Sequence, residues 1–285
     1  RLRIAVVGTG HLGRHHARIL AALPDTDLVA VADISGERAE QTAAEVGVAA
    51  VTTCDELFGR VDAVTVAVPT ETHRRVVLPF LERGVAVLVE KPIARSVAEA
   101  DEMIAAAAAT GATFAVGHTE RYNPAVSVAL PLVTNPRFVE VHRLGAFPAR
   151  SLDIDVVFDL MIHDLDVLLA LVRSDVTAID AVGVPVLTNK IDIANARIRF
   201  ASGCIANLTA SRISRDRVRK VRFFQRDTYI SIDYATQEVE TWRLVEAEGR
   251  EPHSEGGKLD GVAEEPLRRG VADVVHAGRS GVQPG

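Results

Sequence analysis

The amino-acid sequence predicts an α/β protein in two parts: a doubly wound parallel sheet, then an α+β domain on an open-faced, mostly antiparallel sheet. In residues 1–118, short apolar runs alternate with segments of helical spacing. Beyond residue 118, apolar and polar residues alternate with a period of two, which is typical of strands with one buried face. A length of 285 residues suits two domains. We place the first domain at 1–118 and the second at 119–285.

In the first domain, the apolar runs predict six strands and the segments between them four helices. Strands are expected at 3–7, 28–32, 49–51, 62–68, 86–90 and 114–117, and helices at 13–22, 36–46, 73–83 and 97–110. Ser96 suits the N-cap of the last helix, and Gly111 suits its C-terminal stop.

In the second domain, the alternating segments predict strands at 137–143, 192–200, 204–209, 218–224, 229–234 and 238–245. Residues 201–203 and 226–228 are expected to be hairpin turns. One strong helix is predicted at 156–172. Residues 246–265, rich in Gly, Glu and Pro, are expected to form a surface loop.

Composition and charge exclude several classes of protein. Hydrophobic residues make up 48% of the chain and charged residues 25%, as in ordinary globular proteins. A net charge of −6 offers no field for nucleic-acid phosphates. Cys54 and Cys204 match neither a zinc spacing nor a disulfide framework, and no segment has the pattern of a signal peptide or a membrane span. We expect a cytoplasmic protein without metal, nucleic-acid or membrane partners. Since the chain begins without Met and stops on a turn-like segment, we expect further residues at both ends.

A glycine-rich turn lies between the first predicted strand and the first predicted helix. Its residues Gly8, Gly10, His11, Leu12 and Gly13 fit the pattern G-x-G-x-x-G. The glycines allow a tight turn, close approach of the backbone to a pyrophosphate, and close packing of helix on strand. The helix N-terminus supplies N–H groups to the phosphates. We predict that these five residues bind a dinucleotide; the alternative is a merely tight turn.

Asp33 ends the second predicted strand, about 20 residues after the glycines, where a carboxylate can accept hydrogen bonds from the adenosine ribose. It would repel a 2′-phosphate, and residues 34–36 contain no Arg to neutralise one. NAD is therefore favoured over NADP. Asp33 could instead cap the next helix, and the two roles can coexist.

Four segments together resemble the Gfo/Idh/MocA family, named after glucose-fructose oxidoreductase and inositol dehydrogenase. They are the glycine turn and residues 69–73 (PTETH), 89–92 (VEKP) and 159–166 (DLMIHDLD). The likeness runs in order over essentially the whole chain. It implies a nicotinamide-binding Rossmann domain, an open-faced antiparallel domain, and an NAD-dependent dehydrogenase acting on the alcohol of a sugar or cyclitol. It also implies a further helix after residues 270–279.

Three residues are expected to carry the chemistry. Lys91 falls at the carboxyl end of a strand, where parallel-sheet proteins bind ligands; its ammonium can hydrogen-bond a substrate oxygen or act as a base. Asp159 and His163 are four residues apart on a predicted helix, which puts them on one face. By resemblance, His163 is the general base and Asp159 binds or orients the substrate. The alternatives are a solvated lysine and a satisfied core histidine.

The resemblance also assigns residues around the cofactor. Pro69, Thr70 and His73 are expected to shape the nicotinamide ribose pocket, and Glu90 to contact the cofactor. Pro92 is expected to be structural, after a peptide that is often cis in the family.

Substrate contacts are expected near the domain junction. The resemblance places Arg121, Tyr122 and Asn123 there, with linker packing as the alternative. Arg143 and Arg150 are our preferred ligands for an anionic substrate, because guanidinium groups match phosphate; a solvated face of the sheet is the alternative.

Residues 142–145, 158–164 and 211–214 resemble most closely the members that act on nucleotide sugars. This implies a substrate such as UDP-N-acetylglucosamine, oxidised at its 3-hydroxyl. Inositol or a free sugar is the alternative, although the bulky pair Leu160-Met161 makes free inositol doubtful. A glycoside hydrolase that recycles NAD and a non-catalytic NAD-binding regulator are further alternatives.

The resemblance finally implies a homodimer or homotetramer formed through the C-terminal sheet. Alternating apolar residues in that sheet are our candidates for the contact: Ile193, Ile198, Phe200 and Ile205.

Overall fold

The computed structural model describes residues 1–147, 154–245, 251–259 and 264–280. The chain divides into two compact units: one combines Arg1–His118 with the chain from Leu267 on, and the other spans Thr119–Pro266. The change at residue 118 coincides with the predicted boundary, whereas the return of the chain to the first unit was not predicted.

The first unit is built on six parallel strands in the order β3-β2-β1-β4-β5-β6. The strands are β1 (Leu2–Val7), β2 (Thr26–Ala32), β3 (Ala49–Val51), β4 (Ala63–Val66), β5 (Ala86–Glu90) and β6 (Phe114–Gly117). The strand order reverses between β1 and β4, and in such sheets a crevice for ligands opens at the carboxyl ends beside this point. The predicted doubly wound parallel sheet is confirmed.

Helices of this unit follow the predicted pattern: α1 (His11–Ala22), α2 (Gly36–Val46), α3 (His73–Leu81) and α4 (Val97–Thr110). Two apolar clusters lie on opposite faces of the sheet, since Ala5 and Val7 belong to one and Ile4 and Val6 to the other. Burial on both faces explains why all four residues of β4 are buried and why apolar and polar residues do not alternate along it.

The second unit is built on eight strands in the order β14-β13-β12-β11-β7-β10-β9-β8. They are β7 (Phe138–Leu144), β8 (Val176–Val184), β9 (Ile193–Phe200), β10 (Ile205–Ser211), β11 (Val218–Phe224), β12 (Thr228–Asp233), β13 (Glu238–Val245) and β14 (His253–Leu259). The β7–β10 pair is parallel and the other pairs are antiparallel. The predicted, mostly antiparallel sheet is confirmed.

One face of this sheet packs on the helices α5 (Pro124–Ala129) and α6 (Ile162–Val172). Within β7, Val139 and Val141 point into that core, whereas Glu140 and His142 point to the open face. A π-helical turn, Val157–Met161, leads into α6, where the sequence predicts one regular helix.

Two expectations for this sheet are wrong. Ile198 and Phe200, expected on the associating face, are buried in the core, because β9 presents its even-numbered residues inward. The loop expected at 246–265 contains β14, paired with β13; its sequence HSEGGKL lacks apolar alternation because this edge strand is mostly exposed. Residues 246–250 and 260–263 of that prediction lie outside the described residues.

The C-terminal helix α7 (Pro266–Ser280) belongs to the first unit from Leu267 on. Its residues Val271, Val274 and Val275 recur at helical spacing and are buried in the same cluster as Ile4 and Leu20. The assignment of all of 119–285 to the second domain therefore differs from the structure at this helix. In the described ranges, no helix combines the length and apolar character that crossing a bilayer requires.

Candidate functional site

The glycine turn after β1 has two glycines that the fold itself requires. Gly8 has a φ of +91° and donates its N–H to the Ala32 oxygen over 2.7 Å. A Cβ on Gly8 would lie 2.5 Å from the Ala67 oxygen, and a Cβ on Gly13 would lie 1.7 Å from the Gly8 oxygen. Neither position can take a side chain without moving backbone, so α1 packs directly on the turn.

Gly10 is different, because a Cβ there would meet nothing within 4 Å. It is the N-cap of α1 and provides no side-chain hydrogen bond to the helix, whose first turn holds no acidic residue. The next two residues, His11 and Leu12, are exposed. This leaves the partial positive charge of the helix N-terminus open to a phosphate, and it leaves room for backbone approach at Gly10. The turn fits a dinucleotide pyrophosphate.

Asp33, directly after β2, is buried and accepts four hydrogen bonds. Oδ2 accepts the Thr9 N–H (2.9 Å) and hydroxyl (3.0 Å), and Oδ1 accepts the Ser35 N–H (2.9 Å) and the Arg38 guanidinium (2.7 Å). Burial acts to raise the pKa of Asp33, but the hydrogen bonds from Arg38, Ser35 and Thr9 outweigh it and lower the pKa to about 2. The carboxylate is therefore ionised and anchors the glycine turn to the end of β2.

Arg38 was missed by the sequence analysis, which considered only residues 34–36 beside Asp33. It lies in the first turn of α2, whose N-cap Ser35 bonds the Arg38 N–H. A basic residue three positions after a helix cap was the available signal. The charge at the end of β2 is thus an ion pair rather than an isolated carboxylate.

His73 supports the turns that follow β4 and β5. Its ring is buried, with Nδ1 at 3.0 Å from the Pro92 oxygen and Nε2 at 2.9 Å from the Val68 oxygen. His73 therefore holds the backbone of the two turns in place. Its part in the nicotinamide ribose pocket stays a prediction. Pro69 is exposed and Thr70 is half-buried beyond the end of β4.

Glu90 and Lys91 end β5 and start the turn after it. Lys91 is half-buried and its peptide to Pro92 is cis. Glu90 is buried, with Oε1 at 2.9 Å from His16 Nε2 and Oε2 accepting the Lys91 N–H over 3.3 Å. These two bonds hold the Glu90 carboxylate inside the first unit, and its contact with the cofactor stays a prediction. His16 was missed, although a histidine in the buried stripe of α1 is a signal.

In the second unit, Asp159 lies in the π-helical turn and His163 in the first turn of α6. Both side chains are half-buried. Residues four apart share a face in a regular α-helix. The π turn at Asp159 has a different period, so the spacing alone does not put Asp159 and His163 on one face. Such turns are frequent at functional sites. This one contains Asp159 and lies directly before His163, the predicted general base.

Arg143, on β7, belongs to a buried ion-pair cluster. Its guanidinium is buried, donates to both oxygens of Asp164 (2.7 and 2.9 Å), and reaches Glu120 Oε1 at 3.2 Å. Burial raises the pKa of Asp164, and the adjacent Arg143 opposes that rise. The buried Asp164 and the half-buried Glu120 thus occupy the guanidinium, and its contact with a diphosphate stays a prediction.

The junction residues are also engaged. Asn123 is buried, caps α5 by accepting the Ala125 N–H, and donates to the Tyr234 oxygen. Its substrate contact stays a prediction. Arg121 pairs with Asp166 but remains partly exposed. Tyr122 is half-buried. Arg150 lies outside the described residues.

A second buried ion pair supports the chain before the π turn. Arg212 pairs with Asp192 over 2.9 Å and donates to the Ile154 oxygen over 2.6 Å. Asp155 in turn accepts the Ile191 N–H. Where the structure describes the chain, no three His, Cys, Asp or Glu side chains group as metal ligands would.

Comparisons with known proteins agree in both units. The model of the Gfo/Idh/MocA oxidoreductase family, NAD-binding Rossmann fold, matches residues 2–118, and that of the Gfo/Idh/MocA C-terminal domain matches residues 136–229.

Individual relatives cover most of the chain. The UDP-N-acetylglucosamine 3-dehydrogenase of Acidithiobacillus ferrooxidans is 42% identical over 82% of this chain and 74% of its own. A solved structure of that dehydrogenase superposes with a TM-score of 0.91 at 35% identity, covering 99% of this chain and 93% of that one. The scyllo-inositol 2-dehydrogenase (NAD(+)) of Bacillus subtilis is 30% identical over 75% of this chain and 68% of its own.

Proposed function

The chain belongs to the Gfo/Idh/MocA family of NAD-binding oxidoreductases, and from this premise we propose that it oxidises a secondary alcohol of a nucleotide sugar. The observation that carries the proposal is the grouping of the glycine turn, Asp33 and Lys91 at the carboxyl ends of one parallel sheet. NAD, when bound there, would supply the hydride acceptor.

The first unit binds the cofactor. The open N-terminus of α1 and Gly10 hold the pyrophosphate, and Asp33 accepts hydrogen bonds from the adenosine ribose. Pro69 and Thr70 border the nicotinamide ribose, on turns that His73 fixes from behind. NAD is preferred over NADP because the ionised Asp33 carboxylate repels a 2′-phosphate, while its partner Arg38 compensates part of that charge.

Lys91 and His163 perform the chemistry on the alcohol. The Lys91 ammonium donates a hydrogen bond to the substrate oxygen and stabilises the negative charge that develops there. His163 removes the hydroxyl proton as the hydride departs, and Asp159 orients the substrate or the base.

The proposed substrate is UDP-N-acetylglucosamine, oxidised at its 3-hydroxyl. The 42% identical relative of that name supports it, as does the likeness of residues 158–164 to members acting on nucleotide sugars. Arg121 and Arg150 are the proposed ligands of the diphosphate, with Tyr122 beside them. An inositol is the second candidate, favoured by the 30% identical scyllo-inositol dehydrogenase.

The test follows NADH absorbance while the protein is incubated with NAD and one of four substrates: UDP-N-acetylglucosamine, UDP-N-acetylgalactosamine, N-acetylglucosamine or myo-inositol. Turnover is expected with the first. Lys91→Met and His163→Ala should each lower kcat at least about 100-fold. Lys190→Met, at an exposed lysine, is the control.

Absence of NADH with all four compounds, or full activity in both variants, would contradict the proposal. Release of sugar without accumulation of NADH would instead indicate a hydrolase. Binding of NAD without either reaction would indicate a regulator.

We also propose that the protein works in the cytoplasm as a homodimer or homotetramer formed through its second sheet. The open face of that sheet includes Ile193 and Ile205, and the edge strand β8 exposes Val182 and Val184. Sedimentation at micromolar concentration tests this, since a monomer there would contradict it.

A further inference from the structure

A buried chain of three polar side chains connects α1 to the strand end that carries Lys91. His16 on α1 is fully buried, with Nδ1 at 2.7 Å from Thr65 Oγ1 on β4 and Nε2 at 2.9 Å from Glu90 Oε1 on β5. The other oxygen of Glu90, Oε2, accepts the backbone N–H of Lys91. Three elements of the first unit therefore meet at one histidine.

One arrangement of protons satisfies all the hydrogen bonds that link Thr65, His16 and Glu90. A carboxylate oxygen accepts, so Nε2 of His16 donates to Glu90 Oε1. Nδ1 can then accept from the Thr65 hydroxyl. This arrangement keeps a buried carboxylate paired on both oxygens.

The Glu90 carboxylate also fits closely against β6. A Cβ on Gly117 would lie 2.9 Å from Oε1 and 3.1 Å from Oε2. Gly117 thus leaves space for the carboxylate and no more than that. The close wall and the two hydrogen bonds together fix the direction in which the Lys91 N–H points.

We propose that His16 is a positioning residue for the reaction: by holding Glu90 against the Lys91 N–H, it sets where Lys91 presents its ammonium. This inference rests on the proposed role of Lys91. The helix α1 also begins at the glycine turn. One element therefore carries both the N-terminus proposed to bind the pyrophosphate and His16, which holds Glu90 against the Lys91 N–H.

Two amide substitutions separate this role from simple filling of space. In His16→Gln the amide nitrogen comes near the place of Nε2 and can still donate to Glu90. In His16→Asn the amide comes near the place of Nδ1, reaching Thr65 but not Glu90. Both variants put a neutral amide into the same buried position, so their difference reports the bond to Glu90.

We expect kcat of His16→Gln to stay within about 3-fold of wild type and kcat of His16→Asn to fall about 10-fold or more, since misplaced catalytic groups cost large factors. The KM for the sugar and the Kd for NAD, by calorimetry, should be similar in the two variants. Equal kcat in both variants, or a loss that follows Tm alone, would overturn the proposal.

A readout independent of turnover is the rate at which Lys91 reacts with acetic anhydride across pH, measured by mass spectrometry on the NAD-bound protein. His16→Asn should change this profile and His16→Gln should preserve it, whereas exposed Lys190 should react alike in all forms. Identical Lys91 profiles in both variants would overturn the positioning role. A changed profile in a protein that oxidises none of the sugars would contradict the proposed function and leave the positioning intact.

Thr65→Val and Thr42→Val form a matched control. Both threonines are buried, but the Thr42 hydroxyl has no hydrogen-bond partner among the described residues, whereas Thr65 bonds His16. We expect Thr65→Val to lower kcat by no more than the about 3-fold allowed for His16→Gln, since both variants lose only the bond between Thr65 and His16, and Thr42→Val to leave kcat unchanged. Equal kcat in the two valine variants would contradict the part assigned to Thr65.

Discussion

The guanidinium of Arg38 donates to Oδ1 of Asp33 across 2.7 Å, so the acidic residue that ends β2 carries a basic partner from the first turn of α2. The pair leaves the Asp33 carboxylate ionised and compensates its charge. Cofactor choice therefore depends on both residues rather than on the acid alone.

Replacing Arg38 should alter the discrimination between NAD and NADP. In Arg38→Gln the uncompensated carboxylate repels a 2′-phosphate more strongly, and one charge at this range is worth about 1 to 4 kcal/mol. We expect the Kd for NADP to rise about 10-fold or more and the Kd for NAD to change little, as measured by calorimetry. Arg18→Gln, which removes an exposed partner of Glu45, is the control. Equal weakening of both cofactors would contradict this account.

Asp33 should contribute to the pH dependence of folding. The pKa of Asp33 is about 2 in the folded protein against an ordinary value of 3.8, so the ionised carboxylate stabilises the folded state above pH 4. That contribution is lost as the pH falls through 2. The difference in urea-unfolding free energy between wild type and Asp33→Asn should shrink over this range. A difference that stays constant from pH 5 to about pH 2 would be the contrary result.

The buried pair of Arg143 and Asp164 should matter for stability. Removing one partner strands a buried charge, so Arg143→Met should lower the unfolding free energy by about 3 to 5 kcal/mol. The double variant with Asp164→Leu should recover part of the loss. Urea unfolding of the two single variants and the double variant measures this. A stable Arg143→Met protein with a strongly raised sugar KM would instead indicate that the arginine is a substrate ligand.

Gly10 and Gly13 should respond differently to the same added methyl group. Gly13→Ala forces a Cβ onto the Gly8 oxygen and should destabilise the fold by about 3 kcal/mol or more. Gly10→Ala meets open space, so stability should change by about 1 kcal/mol or less, while the Kd for NAD rises. Thermal unfolding and calorimetry separate the two effects. Unchanged NAD binding in Gly10→Ala would contradict the proposal that the pyrophosphate lies against Gly10.

Local patterns predicted most of the fold. The helix expected at 97–110 begins after Ser96, which accepts the Glu99 N–H, and ends at Gly111 with a φ of +73°. These signals lie within a few residues of the element they delimit, so the sequence contains them directly. β14 could not be predicted in this way, because its sequence has no strand pattern and it forms a strand by pairing with β13.

Side-chain partners far apart in sequence were harder to predict. Asp33 and the glycines could be assigned from spacing, whereas the contact of His16 with Glu90 joins residues 74 positions apart. Arg143 had a usable signal, since it shares the inward parity of Val139 and Val141 along β7. The charge of Arg143 indicates an anion ligand, whereas its parity along β7 indicates the buried position that it has in the structure.

The return of α7 to the first unit makes the second unit an insertion within the first. During synthesis on the ribosome, the parallel sheet is complete by Gly117, yet Val271, Val274 and Val275 of its apolar cluster are added only after the whole second sheet has been made. The nascent first unit must therefore persist with an uncovered apolar surface while about half of the chain is translated. The first unit therefore cannot complete its apolar cluster until the ribosome has finished the inserted second unit.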